Sequence, residues 1–249
     1  YNAIFSGFSE GSLKDRLINY EPKVIVTADA SYRRGKIIPL KEKVDRVIDS
    51  IPTITNVLVV NRLNTNPPMK EGRDVWWHDI RKTASIICEP ARVEANEPGI
   101  VFYTSGTTGK PKGVVHSGIA FVIQNYIYAK YHMDHHDDDV FWCSADIGWL
   151  TMHIWGIAGA LANGVTTVIY EGAPDYPEKD RFYQIIDKYR VNKLFTAPTA
   201  LRMLKSLGEK AMEPYHLDCL DVISLVGEPF DPETWHWTYE VLGKKQVCV

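Results

Sequence analysis

From Ile100 to Leu242 the sequence alternates short β-branched or aromatic runs with stretches whose apolar residues recur at helical spacing. That alternation restricts the chain to an α/β fold, a mostly parallel sheet with helices packed over it. Strands are expected at 100–103, 140–143, 166–170, 193–196 and 222–226, and helices at 119–131, 150–162, 181–189, 198–207 and 232–242. Phe182, Ile185, Ile186 and Tyr189 share one helical face, as do Leu201, Leu204 and Leu207. Asp231 before Pro232 suits a helix N-cap. The N-terminal part is less regular, with helices expected at 13–20 and 40–50 and strands at 23–27 and 57–60. Asn61–Asp74, rich in Asn, Pro and charge, reads as a linker or long loop. The chain is expected to comprise two α/β segments, 1–95 and 96–249. Sheets of this kind bind ligands at the carboxyl ends of their strands.

One such end carries an unusual loop. After the strand 100–103 comes TSGTTGKPKG, beginning at Thr104. Gly106 and Gly109 let the backbone turn tightly and present bare N–H groups. Thr104, Ser105, Thr107 and Thr108 offer hydroxyl donors, and Lys110 and Lys112 add charge. A lysine about 4 Å from a phosphate oxygen gains roughly 4 kcal/mol at an effective dielectric near 20, before desolvation. The loop therefore suits a polyphosphate, and a solvated turn is the plain alternative. It is not a Walker loop: Pro111 stands where GxxxxGK[ST] requires glycine, and no Ser or Thr follows Lys110.

Composition narrows the class. The chain has 249 residues, 45% of them apolar, and a net charge of −3. This gives no global signature of nucleic-acid or acidic-membrane binding. Cys88, Cys143, Cys219 and Cys248 form no CxxC pair, so neither a zinc knuckle nor a redox dithiol is expected. Scattered cysteines fit a reducing, cytoplasmic setting. No secretory leader is visible at the N-terminus. The apolar run 154–170 is broken by Gly156, Gly159, Asn163 and Gly164, and reads as a buried helix and a strand rather than a membrane span. HMDHHDDD at 132–139 invites a metal reading, but a solvated acidic turn is the ordinary outcome. Seven tryptophans without a basic stripe point to packing rather than to stacking on nucleic acid. The chain opens on Tyr1 and stops at Val249 just after an apparent strand starts at Gln246, which reads as a piece of a longer polypeptide.

TSGTTGKPKG preceded by VFY resembles the signature loop of the adenylate-forming superfamily. Other stretches resemble its acetyl-CoA synthetase branch, in the family's order: IFSGFS (4–9), TADASYRRGKIIPLK (27–41), GVVHS (113–117), FWCSADIGW (141–149), TTVIYEGAPDYP (166–177), KLFTAPTALR (193–202) and SLVGEPFDPETW (224–235). The resemblance implies layered parallel-rich sheets forming part of an acetyl-CoA synthetase-like N-terminal domain. It also implies ATP-dependent, AMP-forming activation of a short carboxylic acid, most simply acetate, followed by transfer to CoA, with Mg2+ bridging phosphate oxygens.

On that resemblance Thr104, Ser105, Gly106, Thr107, Thr108, Gly109, Lys110 and Lys112 hold the β- and γ-phosphates, and Gly227, Glu228 and Pro229 lie against the adenine. A plain strand-to-helix turn is the alternative for the latter. Arg33, Arg34, Gly35 and Lys36 match a basic CoA-contacting segment that is otherwise a solvated turn. Phe5 and Gly7 match positions beside the CoA adenine, and Thr151, Asp175 and Ala197 match the CoA path. Asp175 departs from the asparagine common in acetate enzymes. Leu150 and Val226 match the acyl pocket. There the acetate enzymes tend to read GWVTGHSY and this chain reads GWLTMHIW, a change that reshapes the pocket or its tunnel and opens the alternatives of propionate, a 3-hydroxypropionate-like C3 acid or another short acid. The catalytic lysine and the C-terminal domain are expected outside this chain, and no metal ligand is assigned within it. The chain alone is expected to be inactive. The partners implied are small molecules, with a homo-oligomer left open and neither nucleic acid nor membrane. Two rival readings are an ATP-dependent phosphotransferase and a nucleotide- or CoA-binding module without chemistry.

Overall fold

The structure is a computed structural model that describes residues 1–104, 110–245 and 247–249. The chain divides into two compact units, Tyr1–His116 and Ser117–Val249.

The first unit begins with helix α1 (Glu10–Tyr20), where the Ser9 hydroxyl accepts the Ser12 N–H at 3.2 Å. Strands β1 (Val24–Ala28), β2 (Ser31–Arg33) and β3 (Lys36–Ile38) follow, then α2 (Leu40–Ile48), β4 (Asn56–Val60), β5 (Asp74–Trp76) and α3 (Trp77–Thr83). Strands β6 (Pro98–Thr104) and β7 (Lys112–Ser117) pair with each other on either side of the signature loop. A parallel sheet runs β1-β4-β5. Val44, Val47 and Ile48 of α2 and Leu17 of α1 bury against Val57 and Val59 of β4. Each such side chain contributes roughly 1.5–3 kcal/mol of transfer free energy.

Alternation of apolar residues did not announce β2, β3, β5, α3 or β7. The β2–β3 hairpin is set by its turn instead. Arg34 and Gly35 both have positive φ, 49° and 74°. Two positive φ values match the twist of the flanking strands, and a glycine second in the pair is the sequence sign of it. The loop expected at 61–74 is present up to β5, but it is pinned rather than free. The buried Asp29 carboxylate accepts the N–H groups of Arg62 (2.7 Å), Leu63 (3.1 Å) and Thr65 (2.9 Å), and the Thr65 hydroxyl at 3.1 Å. Burial alone would raise its pKa, but these donors outweigh burial and hold it well below the carboxylate range.

In the second unit α4 (Gly118–His132) starts at Ser117, whose hydroxyl accepts the Ala120 N–H. Then come β8 (Val140–Cys143), a wide helical segment (Met152–Gly159) running into α5 (Ala160–Ala162), β9 (Thr166–Val168), α6 (Arg181–Tyr189), β10 (Lys193–Thr196), α7 (Pro198–Ser206), β11 (Val222–Leu225) and α8 (Pro232–Trp237). The four strands are parallel in the order β11-β10-β8-β9. Phe182, Tyr183, Ile185 and Ile186 of α6 and Leu201 and Leu204 of α7 close over Trp142, Leu194 and Ile223 of the sheet. As expected, Asp231 caps α8, its carboxylate accepting the Thr234 N–H at 2.8 Å.

The stretch expected as an ordinary helix at 150–162 is wound as a π-helix over Met152–Gly159, and Thr238–Leu242 continues α8 in the same way. Packing explains the first. A Cβ on Gly159 would stand 2.8 Å from the Ala129 Cβ of α4 and 2.9 Å from the Ile154 carbonyl. The Thr167 hydroxyl and the Asn163 amide donate to the Gly156 and Gly159 carbonyls at 2.8 Å each, supporting the widened turns. Of the strand expected from Gln246, that residue lies outside the described ones. Cys248 makes a single parallel bridge to Val222.

Candidate functional site

In the first unit the expected coenzyme residues gather at the exposed tip of the β2–β3 hairpin. The Arg33 guanidinium lies 5.0 Å from the Phe5 ring centroid, a cation–π contact. The Phe5 ring occupies the space beside Gly7: a Cβ there would sit 2.4 Å from its Cε1. The structure thus brings together Phe5, Gly7 and Arg33, which are apart in sequence, with Arg34, Gly35 and Lys36 exposed alongside.

The base of this hairpin is held by groups that sequence reading missed. The Asp29 carbonyl accepts the Lys41 N–H at 3.2 Å. The fully buried Lys41 ammonium meets Asp45 at 2.6 Å and Asp74 at 2.7 Å, and donates to the Pro68 carbonyl at 3.3 Å. Arg73 joins Asp74 and Asp45, each at 2.6 Å. Burial would raise the Asp74 pKa, but Arg73 and Lys41 bring it down to about 2. The signal was available: Lys41 occupies the helical face of Val44 and Ile48.

Strand β6 delivers the signature loop. Its Tyr103 hydroxyl donates to the Asn19 side chain at 2.6 Å, and the Arg16 guanidinium lies 5.7 Å from the Tyr103 ring centroid and 4.2 Å from that of Phe8. Thr104, Lys110 and Lys112 flank the loop as exposed residues. Ser105, Gly106, Thr107, Thr108 and Gly109 lie outside the described residues.

In the second unit the chain crosses from β9 past β8 to β10, so strand order reverses between β8 and β10. At a reversal point of a parallel sheet the connections diverge and leave a crevice at the carboxyl ends. There the Ser144 and Thr196 hydroxyls meet at 2.7 Å, and the Ser144 N–H reaches the Phe195 carbonyl at 2.9 Å. The expected residues leave this same edge. Leu150 and Thr151 follow β8 through the 144–149 turn, Ala197 follows β10, and Val226, Gly227, Glu228 and Pro229 follow β11. Asp175 lies half-buried in the β9–α6 loop. Met152, which departs from the family pattern, buries its bulk among Cys143, Phe141 and Phe195. Trp155 stacks on Phe195 with centroids 4.5 Å apart.

Gly227 has φ +100°, a conformation glycine adopts without strain. Glu228 does not point freely outward. Its Oε1 accepts the Thr199 hydroxyl and, at 3.3 Å, the Thr199 N–H; its Oε2 meets Arg202 at 2.8 Å. Thr199 first and Arg202 second hold the Glu228 carboxyl below its ordinary range. Arg202 also donates to Asp231 at 3.0 Å and to the Pro229 carbonyl at 3.0 Å. Asp231 is brought down to about 2, foremost by the Thr234 N–H and then by Arg202.

Among the described residues no group of three or more His, Cys, Asp or Glu side chains could hold a metal ion. No helix among them is long and apolar enough to cross a membrane. The cysteines are free thiols, with Cys143 buried and pushed up to about 11 by burial.

A parallel sheet whose strand order reverses between β8 and β10, with a glycine turn after β11, places the chain among the α/β proteins. The chain belongs to the AMP-binding enzyme family, whose model matches residues 1–249. It is 42% identical over 249 residues to acetyl-coenzyme A synthetase 2 of Pseudomonas aeruginosa, covering all of this chain and 39% of that one. It is 45% identical over 250 residues to acetyl-coenzyme A synthetase of Pyrobaculum arsenaticum, covering 99% of this chain and 37% of that one. The fold matches acetoacetyl-CoA synthetase from Streptomyces lividans with TM-score 0.84 at 24% identity, over 97% of this chain and 36% of that one. The chain therefore spans well under half the length of these relatives.

Proposed function

We propose that the polypeptide carrying this chain is an AMP-forming acid–CoA ligase that activates a short carboxylic acid, acetate first, by forming an acyl-adenylate and passing the acyl group to CoA. The observation that carries this reading is the similarity, 42% and 45% identity along essentially the whole chain, to relatives named acetyl-coenzyme A synthetase. A propionate or C3 hydroxy-acid preference is the second reading, favoured by Met152 and Trp155 in the segment after Leu150 and Thr151. One methylene changes discrimination by only about 1–3 kcal/mol.

The roles divide along the chain. CoA contact falls to residues 1–95 through Phe5, Gly7, Arg33, Arg34, Gly35 and Lys36, aided by Thr151, Asp175 and Ala197; nucleotide contact falls to residues 96–249. Thr104 to Lys112 supply hydroxyls, amides and ammonium groups to the β- and γ-phosphates and steady the departing pyrophosphate. Gly227, Glu228 and Pro229 form the adenine rest, and Leu150 and Val226 flank the acyl chain. Mg2+ would neutralise phosphate charge on the nucleotide, taking oxygen ligands and keeping waters. The free thiols suit a cytoplasmic enzyme.

The test is a panel of acetate, propionate and 3-hydroxypropionate with ATP, Mg2+ and CoA on the complete gene product. Acid-dependent release of pyrophosphate and AMP is expected. Release of ADP together with a phosphorylated acid, in place of AMP and pyrophosphate, would overturn the AMP-forming reading and favour a phosphotransferase. ATP binding with no turnover of any acid would leave only a binding module.

A further inference from the structure

The Gly227–Pro229 turn after β11 is expected to meet adenine, yet its acidic side chain, Glu228, is already engaged. Glu228 gives Oε1 to Thr199 and Oε2 to Arg202. Thr199 is the second residue of α7, and Arg202 lies one helical turn further on the same face. From there Arg202 reaches three separate points on the β11–α8 connection: the Glu228 carboxylate, the Pro229 carbonyl and the Asp231 carboxylate. Asp231 in turn caps α8. A planar guanidinium with five donors can hold three acceptors on one segment at once, which an ammonium cannot match in geometry. The connection is thereby fastened to α7 at Glu228, Pro229 and Asp231, while Gly227 is left open, with no atom beyond its chain neighbours within 4 Å of where its Cβ would be.

We propose that Arg202 is the positioning residue of the nucleotide turn: with Thr199 it clamps Glu228 and Pro229 to α7, so that the turn offers adenine its Gly227 backbone rather than the Glu228 carboxylate. This rests on the reading of Gly227–Pro229 as the adenine rest. It assigns Glu228 a different part from direct base contact. It also ties the turn to the start of α7, where Ala197 stands as N-cap.

The experiment measures dissociation constants by calorimetry on the complete gene product, for Mg-ATP and separately for inorganic tripolyphosphate. The variants are Arg202→Ala, Arg202→Lys, Glu228→Gln and the double variant Arg202→Ala/Glu228→Gln. Arg202→Ala is expected to weaken ATP about tenfold, the ordinary effect of losing charge-assisted hydrogen bonds that are half-exposed. Tripolyphosphate, which needs no adenine rest, keeps its affinity, which a generally unfolded variant would not allow. Arg202→Lys recovers only part of the loss. Because Glu228 acts through the clamp, the double variant is no weaker than the weaker single one. ATP affinity unchanged in Arg202→Ala, or losses that add in the double variant, would overturn the clamp, the latter by putting Glu228 on the base itself. Failure of the unaltered protein to bind ATP would instead overturn the underlying nucleotide reading.

Discussion

Lys41 and Asp74 face each other at 2.7 Å with both side chains closed off from solvent. An ion pair so placed is costly to form and costlier to halve, because removing one partner strands the other charge in a poorly solvated site. Lys41→Met is expected to destabilise the first unit by about 3 kcal/mol, the low end for such a loss because Arg73 stays on Asp74. Urea unfolding followed by tryptophan fluorescence reads this directly. A midpoint equal to that of the unaltered protein would show that the pair contributes nothing.

The same cluster sets an acid limit. Asp74 is lowered from 3.8 to about 2, and Asp29 is lowered as well. A carboxylate depressed by folding contributes stability that is complete above its unfolded pKa and disappears as pH falls through the folded one. Stability is therefore expected to decline between about pH 4 and pH 2, and Asp29→Asn should flatten part of that slope. His135 acts higher on the scale. Its ring is buried, with Asp139 3.7 Å away and Lys130 and Lys193 also near, and burial lowers its pKa from 6.5. Its contribution is present above 6.5 and falls away below, so His135→Leu should reduce the sensitivity of the melting temperature from pH 6.5 to pH 5.

Helix α4 and the π-helical segment meet at Gly159, where no side chain fits. Gly159→Val forces bulk against Ala129 and the Ile154 carbonyl, and is expected to cost about 1–3 kcal/mol through overpacking. Pairing it with Ala129→Gly should return part of the loss. A thermal scan of both variants with no difference between them would argue against this contact.

Two substitutions should separate the two half-reactions in the complete gene product. Lys112→Ala is expected to slow acetate-dependent ATP–pyrophosphate exchange more than about tenfold, as the loss of a charged phosphate contact does. Arg33→Ala should leave that exchange intact and raise the KM for CoA about tenfold in thioester formation. Equal effects of Arg33→Ala on both assays would remove the hairpin from coenzyme recognition.

Much of the architecture was legible where apolar periodicity is strong. The limits of β8, α6 and β10 coincide with those read from the sequence, since Trp142, Ile185, Ile186 and Leu194 share one core and Phe141 enters a second on the other face of the sheet. Short elements carried too few residues to show a period, so β2, β3 and β5 were not anticipated, although Arg34-Gly35 held a turn signal. The π-helical winding at Met152–Gly159 depends on the fit of Gly159 to Ala129, which no local pattern reveals. Phe5, Gly7 and Arg33 were named from a resemblance, and the structure sets them in contact. In each unit the long-range polar pairings, Asp29 with Thr65, Lys41 with Asp74, and Thr199 and Arg202 with Glu228, were unreadable because each spans a long stretch of sequence, although the helical face of Lys41 did announce its burial.

The pinning of Arg62, Leu63 and Thr65 to Asp29 makes chain length itself a constraint. Adding or deleting one residue between Val60 and Thr65 shifts every amide past the carboxylate and strands a buried anion. Relatives of this protein should therefore differ in residue identity across that short span and keep its count, while gaps and insertions collect in the exposed stretch from Ser85 to Glu97.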